Sequence, residues 1–158
     1  MILTTVLYYG PMKAAVATMR TGLEAADIVK VSKEELELLS GTGDSSKGSA
    51  LLFERGIRVI LVTLGSKGSF FRYPGGMGQV PGFSVKTVDT TGAGEAFMGG
   101  VLYCFSMMTL GEIQKLSQNE FIKIIRFANA MGALTTTKSG AIPSIPSLKE
   151  VEEYLGSV

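Results

Sequence analysis

The chain has no histidine among its 158 residues and a single cysteine, Cys104. Catalysis built on imidazole and zinc sites built on histidine are therefore excluded, and no disulfide can form within the chain. A lone thiol in an apolar segment points to a reducing, cytoplasmic setting. Charge is scarce as well: charged residues make up 18%, the net charge is +1, and no basic run occurs. Nucleic acids and anionic membranes need a basic footprint, so neither is expected as a partner. Met1 to Tyr9 is apolar but short and has no basic leader, which argues against a signal peptide or a spanning helix.

The length is that of one domain with a real core. The mean hydropathy of +0.30 is high for a free-standing domain. Either much of the surface is covered by something else, or the chain is part of a larger fold.

The stretch that organises the rest is Val88-Asp89-Thr90-Thr91-Gly92-Ala93-Gly94-Glu95-Ala96-Phe97, followed by the apolar run Met98 to Phe105. It reads as a tight turn feeding a buried helix. Gly92 and Gly94 remove side chains where backbone must bend or meet a ligand closely. The amides of Gly92, Ala93, Gly94 and Glu95 are expected to be unpaired at the positive end of the helix dipole, which suits an anion. Glu95 places a carboxylate at the lip. Amides for a developing negative charge beside a base for a hydroxyl proton are the equipment of phosphoryl transfer to an alcohol. On its own, Gly92 to Glu95 reads equally as a ligand-binding turn or as a plain helix start.

Along the chain, strands alternate with helices. Ile2 to Tyr8 reads as a strand cut off at Gly10-Pro11, and Met12 to Ala26 as a helix with Val16, Met19 and Leu23 on one face. Asp27 to Val31 is a short buried strand, Ser32 to Leu39 a helix closed by Gly41, and Gly41 to Lys47 a polar loop. Ser49 to Arg55 is helical, with Gly56 ending it. Arg58 to Leu64 is the clearest strand, apolar on both faces. The turn Gly65 to Gly68 leads to a strand over Ser69 to Tyr73, a turn over Pro74 to Gly78 and an extended stretch over Gln79 to Val88. After the Gly-Ala-Gly helix come a loop around Thr109-Leu110-Gly111 and a helix over Asn119 to Thr136. An irregular loop, Lys138 to Pro146, precedes a final helix opened by the capping box Ser147 to Glu150. This order gives an α/β fold with a mostly parallel sheet and a ligand at the strands' carboxyl ends.

Asp-Thr-Thr-Gly-Ala-Gly-Glu-Ala-Phe resembles the signature of the ribokinase-like (pfkB) carbohydrate kinases, Asp-Thr-x-Gly-Ala-Gly-Asp-x-Phe. The resemblance implies a ribokinase-like three-layer α/β/α fold and ATP-dependent phosphorylation of a sugar hydroxyl, with Mg²⁺ and with K⁺ as a further cation. It makes Gly92, Ala93 and Gly94 the anion hole and Glu95 the base, where the family has Asp. Glu has the chemistry of a base, but its extra methylene shifts the carboxylate by roughly 1 Å, so a weakened or silent catalyst is one reading.

Ser32-Lys33-Glu34-Glu35 reads as a capping box. It also stands where the family has Asn-x-x-Glu, which would make Glu35 a residue ordering Mg²⁺-bound water and Ser32 a replacement for a nucleotide-contacting Asn. Thr63-Leu64-Gly65-Ser66-Lys67-Gly68 reads as a plain hairpin turn or, by resemblance, as the turn that receives ATP. It lacks the spacing of a Walker A loop. Asn129, among small residues on a helix, matches a nucleotide-contacting Asn. Thr135, Lys138, Gly140 and Ser144, with Asp89 and Thr91, match positions that bind a monovalent cation in ribokinase, several through backbone carbonyls.

The similarity is strongest to fructokinase-like members, from Ala-Asp-Ile-Val-Lys-Val-Ser-Lys-Glu-Glu-Leu-Glu and Thr-Lys-Ser-Gly-Ala-Ile-Pro-Ser-Ile-Pro. Family members are roughly twice as long, and their sugar-binding first half and β lid have no counterpart in residues 1–158. The resemblance therefore implies a single domain that is the C-terminal, nucleotide-binding half of a kinase for a fructose-like sugar. Such a chain is expected to self-associate or to borrow the other half. A non-catalytic nucleotide-binding or regulatory descendant is the alternative.

Overall fold

The computed structural model describes residues 2–4 and 21–158. Of the expected first strand, β1 (Ile2–Thr4) is described; the rest of that strand, Val16 and Met19 lie outside the described residues. Residues 21–23 form the described end of the expected helix.

Five strands form one sheet in the order β1-β2-β3-β4-β5, with β2 Ile28–Ser32, β3 Val59–Thr63, β4 Ser69–Tyr73 and β5 Gly76–Val80. The first three are parallel, Ile2 pairing with Ile28 and Ile28 with Val59. The links from β3 to β4 and from β4 to β5 are too short for a crossover, so these neighbours run antiparallel and the sheet is mixed. The expected turn over Pro74 to Gly78 narrows to Pro74-Gly75. Pairing with β4 draws Gly76 and Gly78 into a strand despite the poor β-propensity of glycine.

The described residues divide into two compact units, those within 1–64 together with 70–79, and residues 65–69 with 80–158. In the first, β2 and β3 are joined by helices α1 (Lys33–Ser40) and α2 (Ser45–Glu54). Its core gathers Val29, Val31, Leu36, Leu39, Leu52, Ile57, Ile60 and Val62. Each such side chain contributes about 1.5–3 kcal/mol relative to exposure. Helix α2 begins at Ser45, ahead of the expected Ser49. The reason is Asp44, whose carboxylate accepts from the Ser46 and Lys47 amides at 2.9 and 3.0 Å and overrides the weak helix propensity of the serines.

The second unit holds helices α3 (Ala93–Phe105), α4 (Leu110–Lys115), α5 (Gln118–Thr135) and α6 (Leu148–Gly156), with 3₁₀ turns at Gly65–Lys67 and Ile142–Ser144. Helix α3 buries Phe97, Met98, Val101 and Phe105, and α5 buries Phe121, Ile125 and Ala128. The Phe105 and Phe121 rings lie 6.0 Å apart. A methyl on Gly100 would sit 3.1 Å from the Ala128 Cα, so the two helices approach through small residues. The expected loop at Thr109-Leu110-Gly111 is instead the start of α4. Thr109 and Glu112 form a reciprocal capping box there, enough to open a short helix.

Candidate active site

At the head of α3, Gly92 occupies the cap position with φ +82°, a left-handed conformation that disfavours a side chain. A Cβ there would also lie 3.2 Å from the Ala141 Cα. The cap has no side-chain hydrogen bond. The first intrahelical bond runs from the Ala96 amide to the Gly92 carbonyl at 2.8 Å, which leaves the Gly94 and Glu95 amides without a helical acceptor. The Ala93 amide differs from the sequence expectation: it donates to the Thr90 carbonyl at 3.3 Å, closing the preceding turn. Glu95 is exposed on the first turn, beside those amides in sequence. An anion placed at the helix head would meet backbone donors and the positive end of the dipole, with a carboxylate at its edge.

The turn is tied to the loop after α5. Asp89 Oδ1 accepts from the Thr91 amide at 2.9 Å and Oδ2 from the Gly140 amide at 3.1 Å. Both the Val88 and Asp89 amides donate to the Thr136 carbonyl, at 2.7 and 3.2 Å. The Thr91 amide, the Thr91 hydroxyl and then the Gly140 amide hold the Asp89 carboxyl below its ordinary range. The other members of the expected cation set are engaged locally. Thr135 donates to the Met131 carbonyl at 2.8 Å, Ser144 to the Ala141 carbonyl at 2.8 Å, and Lys138 Nζ pairs with Glu150 at 3.0 Å. The Thr135 and Ser144 hydroxyl hydrogens and the Lys138 ammonium are thus committed within the protein.

The turn Gly65-Ser66-Lys67 is exposed, while Gly68 is buried. Gly68, at φ +90°, packs directly on residues 80–82, and a Cβ there would collide with the Val80 carbonyl. Asn129 is buried at 7% exposure, and its polar atoms meet protein partners. Its Oδ1 accepts from the Ser69 hydroxyl at 2.9 Å, and its Nδ2 donates to the Val80 and Pro81 carbonyls at 3.2 and 3.1 Å. Ser69, Gly82 and Ala141 are site neighbours that the sequence reading passed over. The one available signal was a serine opening a strand whose other residues are two phenylalanines, an arginine and a tyrosine.

In the first unit, parallel register sets Ser32 beside Thr63 at the carboxyl ends of β2 and β3, with Leu64 following. Thr63 Oγ1 donates to the Val31 carbonyl at 3.4 Å, a long bond. Ser32 and Glu35 form a capping box: Glu35 Oε2 accepts the Ser32 amide at 2.7 Å and Ser32 Oγ the Glu35 amide at 3.1 Å. Glu35 is 3% exposed, deeper than a solvated helix-start acid. Among the described residues, no three or more Asp, Glu, Cys or His side chains gather as a metal cage. No helix among them is long and apolar enough to cross a membrane.

The family model of the pfkB family carbohydrate kinases matches residues 4–148, and the chain belongs to that family. It is 42% identical over 130 residues to fructokinase-2 of Solanum lycopersicum, covering 80% of this chain and 38% of that protein. With fructokinase-1 of Zea mays it shares 43% over 134 residues, covering 84% of this chain and 40% of the relative. Among solved structures, it resembles a double mutant of the Vibrio cholerae O395 fructokinase bound to fructose, ADP and potassium. There the TM-score is 0.84 at 33% identity, over 98% of this chain and 49% of that one. The Xylella fastidiosa fructokinase with bound ATP gives a TM-score of 0.85 at 28% identity, over 99% of this chain and 51% of that one. The fold is ribokinase-like, and the chain spans about 40% of the length of the curated relatives it matches.

Proposed function

We propose that this chain carries the nucleotide and phosphoryl side of an ATP-dependent, fructokinase-like sugar kinase. The observation that carries the reading is the uncapped head of α3, with the Gly94 and Glu95 amides open and the Glu95 carboxylate exposed beside them. The Gly92-to-Gly94 backbone receives the transferred phosphoryl group, and the open Gly94 and Glu95 amides stabilise the charge that builds there. Glu95 accepts the sugar hydroxyl proton as that oxygen bonds to the γ-phosphorus and the bond to ADP breaks. In the second unit the Gly65-to-Gly68 turn, with Asn129 behind it, is assigned to nucleotide contact, and in the first unit Ser32, Thr63 and Leu64 at the strand ends carry the same assignment.

With no cluster of three or more Asp, Glu, Cys or His side chains among the described residues, Mg²⁺ is assigned as an ion carried by phosphates and water, with Glu35 orienting that water. When bound, it neutralises phosphate charge. A monovalent cation such as K⁺ is assigned to Thr135, Lys138, Gly140 and Ser144 with Asp89 and Thr91, several of them through backbone carbonyls.

The test is titration calorimetry with Mg-ATP, followed by a coupled assay of fructose phosphorylation, in K⁺ and in Na⁺. The assay is run on this chain alone and with the N-terminal half of a related fructokinase supplied. Binding of Mg-ATP, and turnover that needs the added half, are expected. A chain that binds no nucleotide overturns the reading. A second reading, a nucleotide-binding protein without catalysis, is favoured specifically by Glu where the family signature has Asp. Binding without turnover in the complemented assay would select it.

A further inference from the structure

We propose that Ser69 and Asn129 form a buried latch that sets the shape of the Gly65-to-Gly68 turn, Asn129 acting as a positioning residue and not as a contact to the nucleotide. The inference rests on the nucleotide reading of that turn. An Asn side chain has two amide hydrogens to give, and both are taken here, by the carbonyls of Val80 and Pro81 at 3.2 and 3.1 Å. Its oxygen accepts from Ser69 at 2.9 Å. Ser69 is fully buried and Asn129 nearly so, so releasing either bond strands a polar group away from water.

These partners flank the turn on both sides. Ser69 directly follows Gly68, while residues 80–82 are the backbone on which the turn rests. A Cβ on Gly68 would lie 2.5 Å from the Pro81 carbonyl carbon, and one on Gly82 would lie 2.5 Å from the Ser66 carbonyl oxygen. With that little clearance, a shift of the 80–82 backbone is transmitted to the turn. Asn129 on α5 thus fixes both the exit of the turn and its support, leaving its own amide no hydrogen for a ligand.

The test measures Mg-ATP affinity for the wild-type chain, Ser69→Ala, Asn129→Ala and the double variant, well below their melting temperatures. Amide hydrogen exchange at residues 65–68 is followed without nucleotide. Both single variants are expected to bind about tenfold more weakly, the equivalent of one buried hydrogen bond. The double variant should be no weaker than Asn129→Ala alone, and the turn amides should exchange faster in all three. If Asn129→Ala loses affinity while Ser69→Ala keeps it and the turn exchanges as in the wild type, Asn129 contacts the nucleotide and the latch is wrong. If the wild type binds no Mg-ATP, the nucleotide reading itself falls, and this inference with it. Should Asn129→Ala fail to fold, Asn129→Asp keeps the shape and the Ser69 acceptor but has no hydrogens for Val80 and Pro81. It should then bind as weakly as Ser69→Ala or worse, and undiminished affinity would overturn the latch.

Discussion

Asp89 and Gly140 are hydrogen-bonded, the Gly140 amide donating to Asp89 Oδ2 at 3.1 Å while Oδ1 holds the Thr91 amide at 2.9 Å. One carboxylate thereby joins the turn before α3 to the loop after α5. Because these amides favour the ionised form, the folded-state value is lowered from the ordinary 3.8. The stabilisation is therefore fully present above that value and is lost as pH falls through the lowered one. The Gly140 amide proton shift, followed by NMR, should titrate with a midpoint below 3.8. Asp89→Asn places an amide hydrogen against one of these donors and should move the Gly140 shift at neutral pH toward its solvent-exposed value. A Gly140 shift indifferent to both pH and substitution would show that the bridge does not form.

The head of α3 is also held from behind. A methyl on Gly132 of α5 would lie 3.0 Å from the Ala93 carbonyl oxygen, so the helices meet here with room for hydrogen alone. Gly132→Val should cost about 1–3 kcal/mol in denaturant unfolding, the range for overpacking a filled site. It should also weaken nucleotide binding, because the push falls on Ala93, the first residue of α3 and the middle of the proposed Gly92-to-Gly94 anion turn. Unchanged stability would mean that the helix pair yields without strain.

Helix α5 starts from a reciprocal box in which Ser117 Oγ accepts the Glu120 amide at 3.3 Å and Glu120 accepts the Ser117 amide at 2.9 Å. Ser117→Ala should destabilise the chain by roughly 1 kcal/mol, read as a shift of the unfolding midpoint without a change of slope. A variant with the wild-type midpoint would show that the start of α5 is held by tertiary packing alone.

The same boxes show what was legible in the sequence and what was not. The Ser147 box is legible as a helix start from its Ser-x-x-Glu spacing. The Thr109 box has the same chemistry, yet its sequence reads as a loop around Thr109-Leu110-Gly111. The buried strand at Val59 to Val62 and the glycine turn at Gly92 announced themselves through unbroken apolar residues and paired glycines. Strand β5 did not, since Gly76 and Gly78 adopt a strand only through pairing with β4. In the candidate site, residue types single out segments but not the partners of each side chain. Nothing local distinguishes an Asn that touches a ligand from one bonded to Ser69, Val80 and Pro81, because all three lie far from Asn129 in sequence. The Thr90 carbonyl taking the Ala93 amide is equally a matter of loop geometry.

Apolar surface at the end of α3 bears on how the chain behaves in solution. Tyr103 is 54% exposed and Met107 93%, with Leu102 and Met108 beside them in sequence. Together with the high hydropathy this suggests that the chain alone self-associates or takes up a partner. Light scattering across a concentration series should show species heavier than one chain, and Met107→Lys with Tyr103→Lys should reduce them. A monodisperse monomer at every concentration would count against it.

Glu95 is the sharpest departure from the family signature, and its consequence is measurable. Its exposed carboxylate sits on the first turn of α3, one methylene further from the backbone than the Asp it replaces. A general base must lie within hydrogen-bond reach of the hydroxyl it deprotonates, and a displacement of about 1 Å can cost on the order of 100-fold in rate. Glu95→Asp, assayed with the complementing N-terminal half, should therefore raise kcat by up to about 100-fold with little change in nucleotide affinity, because the groups proposed to hold the phosphates are backbone amides. Glu95→Gln should abolish turnover while Mg-ATP still binds. If Asp brings no gain and Gln no loss, the proton leaves by another route and this position is a helix-start charge and nothing more.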